Sequence, residues 1–280
     1  MITVEKIDEL RGAVRRLRHG GRRIAFVPTM GNLHAGHLAL VARAREVADF
    51  TVVSIFVNPF QFGEGEDFLT YPRTLGEDCA ELERSGADLL FIPEAAEIYP
   101  KGPTRCTRIE VPELGGMLCG EFRPKFFRGV ATVVAILFNA VAPDVAIFGE
   151  KDYQQLLVIR RMVRDLKMPI EVLGAPTVRE QDGLAMSSRN RYLSEAERRV
   201  APALYLTLRE VRDSLRRGAA DFAVIEAEGT RTLEARGFRP DYLVVRRAAD
   251  LSLPKAGDQD LRILAAAWLG RARLIDNVPR

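Results

Sequence analysis

Cysteine is scarce in this chain. Cys79, Cys106 and Cys119 are the only three, an odd number with no C-x-x-C pair. That spacing argues against a disulfide framework and fits a reducing, cytoplasmic setting. Long apolar runs are missing too, and no stretch approaches the length a bilayer requires. The first residues form a charged amphipathic pattern, with Ile2, Val4, Ile7, Leu10, Val14 and Leu17 apolar and Glu5, Asp8 and Glu9 acidic. This pattern argues against a signal or transit peptide. A strong charge bias is also lacking, since 41 basic residues face 38 acidic ones for a net charge of +3. The basic residues are spread along the chain, without the clustered stripe and interleaved aromatics of a nucleic-acid binder. There is no internal repeat and no low-complexity segment. Hydrophobic residues make up 47% and charged residues 28%, and 280 residues are enough to bury the core of one large domain or two.

Histidine is equally rare, and two of the three, His34 and His37, stand three residues apart. They follow the apolar run Ile24–Val27 and precede an amphipathic stretch from His37 to Val47. The order reads as strand, glycine-bearing loop, helix. A helix amino-terminus offers unpaired N–H groups and a partial positive charge, a natural seat for phosphate. Gly31 and Gly36 would let a ligand approach the backbone. Two alternatives remain at this point: an idle solvated pair, or a metal site. Zinc needs a third protein ligand, and His19 lies among arginines in an N-terminal helical pattern.

Residues 1–176 alternate short apolar runs with helical patterns. Strands are expected at 23–28, 51–57, 88–93, 144–148 and 170–174, and helices at 3–18, 37–48, 74–86, 129–141 and 153–166. The alternation predicts an α/β fold, a doubly wound parallel (Rossmann-like) sheet. Ligands of such sheets bind beyond the carboxyl ends of the strands. The His34/His37 loop, the Asn58–Gln61 segment and Gly149–Asp152 all follow expected strands. The pattern breaks near Gly174–Thr177. Beyond it, residues 177–280 read as a smaller α+β C-terminal domain, with helices at 194–217 and 221–236 and strands at 242–245, 262–267 and 273–275.

Two further stretches carry chemistry. In Met186-Ser187-Ser188-Arg189, paired hydroxyls and a planar guanidinium suit phosphate oxygens; taken alone, a polar interdomain loop with Ser188 capping a turn is the better reading, and the stretch gains its weight only in combination with the histidine motif. In Gly149-Glu150-Lys151-Asp152, Lys151 can meet phosphate as a point charge while Asp152 caps the next helix. The amides of Asn58, Gln61 and Gln155 can orient a small polar substrate; for Asn58-Pro59 a turn role is the alternative.

Five blocks together carry a resemblance. They are Pro28-Thr29-Met30-Gly31 running into His34-x-Gly36-His37; Ser54-Ile55-Phe56-Val57-Asn58-Pro59-x-Gln61-Phe62; Tyr71-Pro72-Arg73; Phe148 to Gln155; and Val178-Arg179-Glu180-x-Asp182 through Asn190. In order and spacing this set resembles the pantothenate synthetase (pantoate–β-alanine ligase) family, within the HxGH adenylyl-transfer superfamily. The resemblance implies condensation of pantoate with β-alanine at the expense of ATP, through a pantoyl adenylate, with release of AMP and pyrophosphate. It implies that Met30, Gly31, Asn32, Leu33, His34, Ala35, Gly36 and His37 cradle ATP, together with Gly149, Glu150, Lys151, Asp152, Val178, Met186, Ser187, Ser188 and Arg189. His34, His37, Lys151, Ser187, Ser188 and Arg189 would act on the phosphates. Gln61, Gln155 and Asn58 would hold pantoate, and Gln61 also β-alanine. Mg²⁺ is implied as the phosphate counterion, with Asp78 as a candidate ligand. A homodimer in the cytoplasm, a C-terminal lid, and no nucleic acid or membrane partner complete the expectation. One position departs from the family: where it usually reads His-Phe-x-Gly-Val, this chain has Phe126 in place of the histidine. Two rival readings are a different HxGH nucleotidyltransferase and a synthetase-derived RNA-binding module.

Overall fold

The computed structural model describes residues 1–63, 68–219 and 221–280. It divides into two units, one of Met1–Glu150 with Val158–Pro176, the other of Lys151–Leu157 with Thr177–Arg280. The short segment 151–157, which the sequence pattern places in the first domain, thus groups with the C-terminal unit.

In chain order, the first unit begins β1 (Ile2–Val4), α1 (Ile7–Leu17), β2 (Ile24–Thr29), α2 (Ala35–Val47), β3 (Phe50–Ile55), α3 (Leu75–Arg84) and β4 (Leu89–Phe91). It continues through α4 (Ala95–Ile98), α5 (Cys119–Phe122), α6 (Phe126–Val141), β5 (Val145–Gly149), α7 (Tyr153–Asp165), whose first five residues count with the other unit, and β6 (Glu171–Ala175). Among the described residues its sheet has six strands in the order β1-β4-β3-β2-β5-β6, and every pairing is parallel. This is the doubly wound sheet expected from sequence. The central strands are continuous buried runs: Ile24 to Val27 in β2 and Val52-Val53 in β3 are fully inaccessible. A strand covered on both faces has no polar side to show, so the alternating pattern disappears.

The strand order reverses at β2. The chain leaves β2 for β3 and β4 on one side, and returns with β5 and β6 on the other. Such a switch point opens a crevice at the carboxyl ends of the two strands that flank it. The loop Met30–His34 leaves β2 there, and Gly149 ends β5 at the same rim.

Two expectations fail at the edges. Residues 3–18 do not form one helix: Ile2–Val4 is a strand, with Ile2 opposite Leu89 and Val4 opposite Phe91. Ile-Thr-Val is rich in β-branched side chains, and an available sheet edge overrides the helical spacing of its apolar residues. Residues 194–217 do not form one helix either. In the second unit α8 (Glu195–Val200) stops before Pro202, and α9 (Ala203–Arg216) starts after it. The proline has no N–H to donate and its ring clashes in a helix interior. The unit ends with α10 (Phe222–Ala235) and an antiparallel sheet of β7 (Arg239–Arg247), β8 (Leu261–Leu269) and β9 (Ala272–Pro279). Among the described residues no helix is long and apolar enough to cross a membrane.

Candidate active site

The loop after β2 turns through two left-handed residues, Gly31 (φ 78°) and Asn32 (φ 51°). A Cβ on Gly31 would stand 3.0 Å from Asp78 Oδ2 and 3.0 Å from Ile55 Cγ2, so only glycine fits without displacement. The turn is pinned from outside. Gly31 N donates to Thr29 Oγ1 at 3.2 Å. Asn32 N donates to Asp78 Oδ2 at 2.9 Å, and Leu33 N to Asp78 Oδ1 at 2.8 Å. Thr74 Oγ1 also donates to Asp78 Oδ1, at 3.2 Å.

Asp78 therefore does not fit the metal role expected of it. Its carboxylate is buried at 3% exposure and both oxygens are engaged by the loop. Nor does the rest of the donor set suit a metal: among the described residues no group of three or more His, Cys, Asp and Glu side chains is placed to hold an ion.

Helix α2 starts two residues earlier than its pattern predicts, because His34 is its N-cap. His34 Nδ1 accepts from Gly36 N at 3.1 Å, and His37 Nδ1 accepts from His34 N at 3.3 Å. This is a capping box made of two imidazoles rather than a hydroxyl and a carboxylate. The rings lie 4.1 Å apart between centroids. The geometry fixes their chemistry, since a nitrogen that accepts from an amide carries no proton, and a neutral imidazole then holds its proton on Nε2. Both Nε2 atoms become donors. The expectation of phosphate on unpaired backbone N–H groups meets a loop in which most of those groups already have partners. The amides of Gly31, Asn32, Leu33, His34 and Gly36 are all engaged within the unit. The side chains of the motif take up the amides of His34 and Gly36 at the helix start. Ala35, in the first turn, is exposed.

The Asn58 segment adjoins this loop. Gln61 Nε2 donates to Met30 Sδ at 2.8 Å. Asn58 is 1% exposed and caps the short 3-10 turn Pro59–Gln61. Its Oδ1 accepts from Phe60 N (3.2 Å) and from the Tyr99 hydroxyl (2.8 Å). Its Nδ2 donates to Gln61 Oε1 (3.1 Å) and Gly129 O (3.2 Å). All four capacities of the amide are spent on protein, so Asn58 orients Gln61. Burial pushes the Tyr99 phenol well above its ordinary range, which keeps the hydroxyl a donor.

Gly129 on α6 is the floor of this turn, because a Cβ there would lie 2.5 Å from Phe60 O and 2.7 Å from Gln61 Cα. Gly129→Ala is expected to cost roughly 1–3 kcal/mol through overpacking against rigid backbone. A urea titration that left the unfolding midpoint unchanged would contradict that packing. Beside the turn, the Arg123 guanidinium lies 3.8 Å over the Phe126 ring and donates to Gln61 O at 3.4 Å. The phenyl that replaces the family's histidine thus serves as a platform for a cation.

The second unit carries the other candidate residues. Lys151 lies in the 3-10 turn Glu150–Asp152, its Nζ 3.6 Å from Asp152 Oδ2. Gln155 follows on α7, half-buried. Residues 178–186 form a tight hairpin: Met186 N donates to Val178 O at 3.0 Å, Arg179 bridges Ala185, and Glu180 N donates to Leu184 O at 2.8 Å. Gly183 (φ 94°) makes its turn. Beyond the hairpin, Ser187 rather than Ser188 is the cap, its Oγ accepting from Arg189 N at 3.3 Å at the start of the 3-10 turn Ser188–Tyr192. Ser187, Ser188 and Arg189 are all half-buried. An Arg198 fork holds the hairpin, with one nitrogen 2.6 Å from Glu180 Oε2 and another 2.6 Å from Asp182 Oδ2. That pair draws the Asp182 carboxyl below its usual range.

The chain is similar to known proteins over its whole length. The family model described as pantoate-beta-alanine ligase matches residues 2–279. A pantothenate synthetase of Pseudomonas entomophila is 57% identical over 278 residues, covering 99% of this chain and 97% of that protein. The corresponding protein of Azotobacter vinelandii is also 57% identical, covering 99% and 98%. Among solved structures, pantothenate synthetase from Thermus thermophilus superimposes with a TM-score of 0.92 at 50% identity, over 99% of both chains. A pantoate-beta-alanine ligase from Francisella tularensis, complexed with beta-gamma ATP and beta-alanine, gives 0.84 at 34% identity, over 100% of this chain and 97% of that one. With the family model matching residues 2–279 and relatives aligned end to end, the chain belongs to the pantoate–β-alanine ligase family.

Proposed function

We propose that this ligase condenses pantoate with β-alanine in two steps on one ATP. A carboxylate is a poor acyl donor because its leaving group would be oxide. Attack of the pantoate carboxylate on the α-phosphorus forms a P–O bond and releases pyrophosphate. The β-alanine amine then attacks the acyl carbon, the C–O bond to AMP breaks, and the amine loses a proton. Charge moves onto phosphate oxygens in the first step, so catalysis is mainly positioning plus electrostatic stabilisation.

The Nε2–H groups of His34 and His37 are assigned to the phosphates, acting as electrostatic donors. Met30, Gly31, Asn32, Leu33, Ala35 and Gly36 shape that end of the ATP site. Lys151, Ser187, Ser188 and Arg189 take the departing pyrophosphate, and Gly149, Glu150, Asp152, Val178 and Met186 line the nucleoside end. Gln61 and Gln155 hold pantoate, with Gln61 near β-alanine and Asn58 steering Gln61. Mg²⁺ accompanies ATP, held by phosphate oxygens and water. The protein works on small molecules, without nucleic acid or membrane, as a cytoplasmic homodimer.

The family match over residues 2–279 is the observation that supports this most. An assay with ATP, pantoate and β-alanine, scored for AMP, tests it. AMP formation that ignores pantoate but requires nicotinamide mononucleotide would favour the rival nucleotidyltransferase. Within the assay, Gln61→Ala is expected to raise the pantoate KM about tenfold or more, as loss of a hydrogen bond to a charged ligand does. An unchanged KM would remove Gln61 from the pocket.

A further inference from the structure

Two polar residues on β9 are buried where a strand normally shows apolar side chains: Asp276 and Asn277, each 3% exposed. Neighbours on a strand project to opposite faces, so one dipeptide can grip two segments. Asn277 Nδ2 donates to Lys151 O at 2.9 Å. Its Oδ1 accepts from Arg262 Nε at 2.6 Å, which fixes the orientation of the amide. Arg262 is in turn stacked 4.1 Å over Tyr153, and the Tyr153 hydroxyl donates to Ala248 O at 3.0 Å. Asp276 grips the hairpin. It forms a two-pronged pair with Arg179, at 2.6 and 2.9 Å, and Arg179 also donates to Gly183 O at 3.1 Å. Burial raises the pKa of Asp276, and the Arg179 pair opposes that rise. Asn277 N closes the circuit by donating to Asp276 Oδ1 at 2.7 Å. All these residues belong to the second unit.

A lysine ammonium on a four-carbon stem is a mobile charge, and its reach is set by where its backbone is anchored. The 3-10 turn carrying Lys151 supplies one carbonyl to this network, and the hairpin leading to Ser187–Arg189 is tied to the same strand. We propose that Asn277 is a positioning residue: by holding the Lys151 carbonyl it places the ammonium that meets the ATP phosphates. The proposal rests on the phosphate role assigned to Lys151 above.

The test is a double-mutant cycle of Asn277→Asp and Lys151→Ala. Asn277→Asp keeps the acceptor facing Arg262 and removes the donor facing Lys151 O. It is expected to lower kcat for pyrophosphate release about tenfold while pantoate KM stays unchanged, and to add nothing in the Lys151→Ala background. Equal losses in both backgrounds, or wild-type kcat, would overturn the proposal. Should Asn277→Asp fold poorly, Arg262→Gln releases the other end of the amide and is expected to follow the same pattern. If neither variant folds, the network is purely structural and the proposal falls. If the wild-type protein makes no AMP from pantoate, the ligase reading fails by itself. Calorimetric titration of Mg-ATP into the four proteins of the cycle then decides the positioning role. Affinity weakened by Asn277→Asp only when Lys151 is present supports it, and any other pattern refutes it.

Discussion

His37→Ala is expected to slow pyrophosphate release by about 100- to 1,000-fold, the cost of deleting one preorganised donor from a developing oxyanion. The capping geometry is the reason. His37 Nδ1 is committed to His34 N, so the proton stands on Nε2 and the ring is already oriented before ATP arrives. The same substitution also removes the reciprocal half of the capping box, the acceptor for His34 N, worth about 0.5–1.5 kcal/mol of stability. His37→Glu separates the two contributions. A glutamate at the third helical position is the usual partner in a capping box, so it should restore stability relative to alanine. It supplies an anion where a donor is needed, so activity should stay as low as in His37→Ala or fall further. Thermal melts alongside single-turnover rates give both readouts. Near wild-type turnover in folded His37→Ala would take the imidazole out of the mechanism.

Asp78→Ala is expected to destabilise the first unit by roughly 3 kcal/mol and to abolish most activity, although Asp78 touches no proposed substrate atom. The magnitude follows from stripping a charged acceptor from two backbone N–H groups, at about 1.5–3 kcal/mol for a hydrogen bond to a charged group. Asn32 is held at φ 51°, where a non-glycine residue is uncommon, and that carboxylate secures the amides on either side of the Asn32 Cα. Without it the turn relaxes, and the two imidazoles lose their bearing on the site. Asp78→Asn retains one carbonyl acceptor and should recover part of the stability. A metal-ligand role makes the opposite forecast: unchanged urea midpoint in Asp78→Ala with a steeper Mg²⁺ requirement. Chemical denaturation and a Mg²⁺ titration of the rate distinguish the two.

Much of this architecture is legible in the chain because its signals are local. Ile24-Ala25-Phe26-Val27 is short, apolar throughout and bounded by turn signals, as a strand covered on both faces is, and the glycines and histidines after it mark a turn into a helix. The parallel sheet then follows from alternation, and the switch point places the candidate loop after β2 at its rim. The failures are non-local. Ile2–Val4 is short enough to satisfy a helical spacing by accident, and only its partner Leu89–Phe91 makes it a strand. The role of Asp78 is set by amides 45 and 46 residues away, which leave no periodicity in the sequence. The apolar pattern of β9 stops at Ile275, short of the strand's true end, because Asp276-Asn277 interrupts it. The interruption is there because those two side chains anchor Arg179 and the Lys151 carbonyl. Histidine as a helix cap escapes a reading of the sequence because imidazole is not among the usual capping groups, yet Nδ1 accepts as an Asx oxygen does.

The Phe126 corner has a consequence for acidity. Imidazole changes its ionisation between pH 5 and 8, whereas phenyl has none to change and guanidinium remains cationic throughout that window. With Arg123 stacked on Phe126, the position beside Gln61 carries a phenyl, which has no proton to exchange. A member of the family with histidine there would carry an additional proton-sensitive group at that spot; in this chain, any titration near neutrality must originate elsewhere.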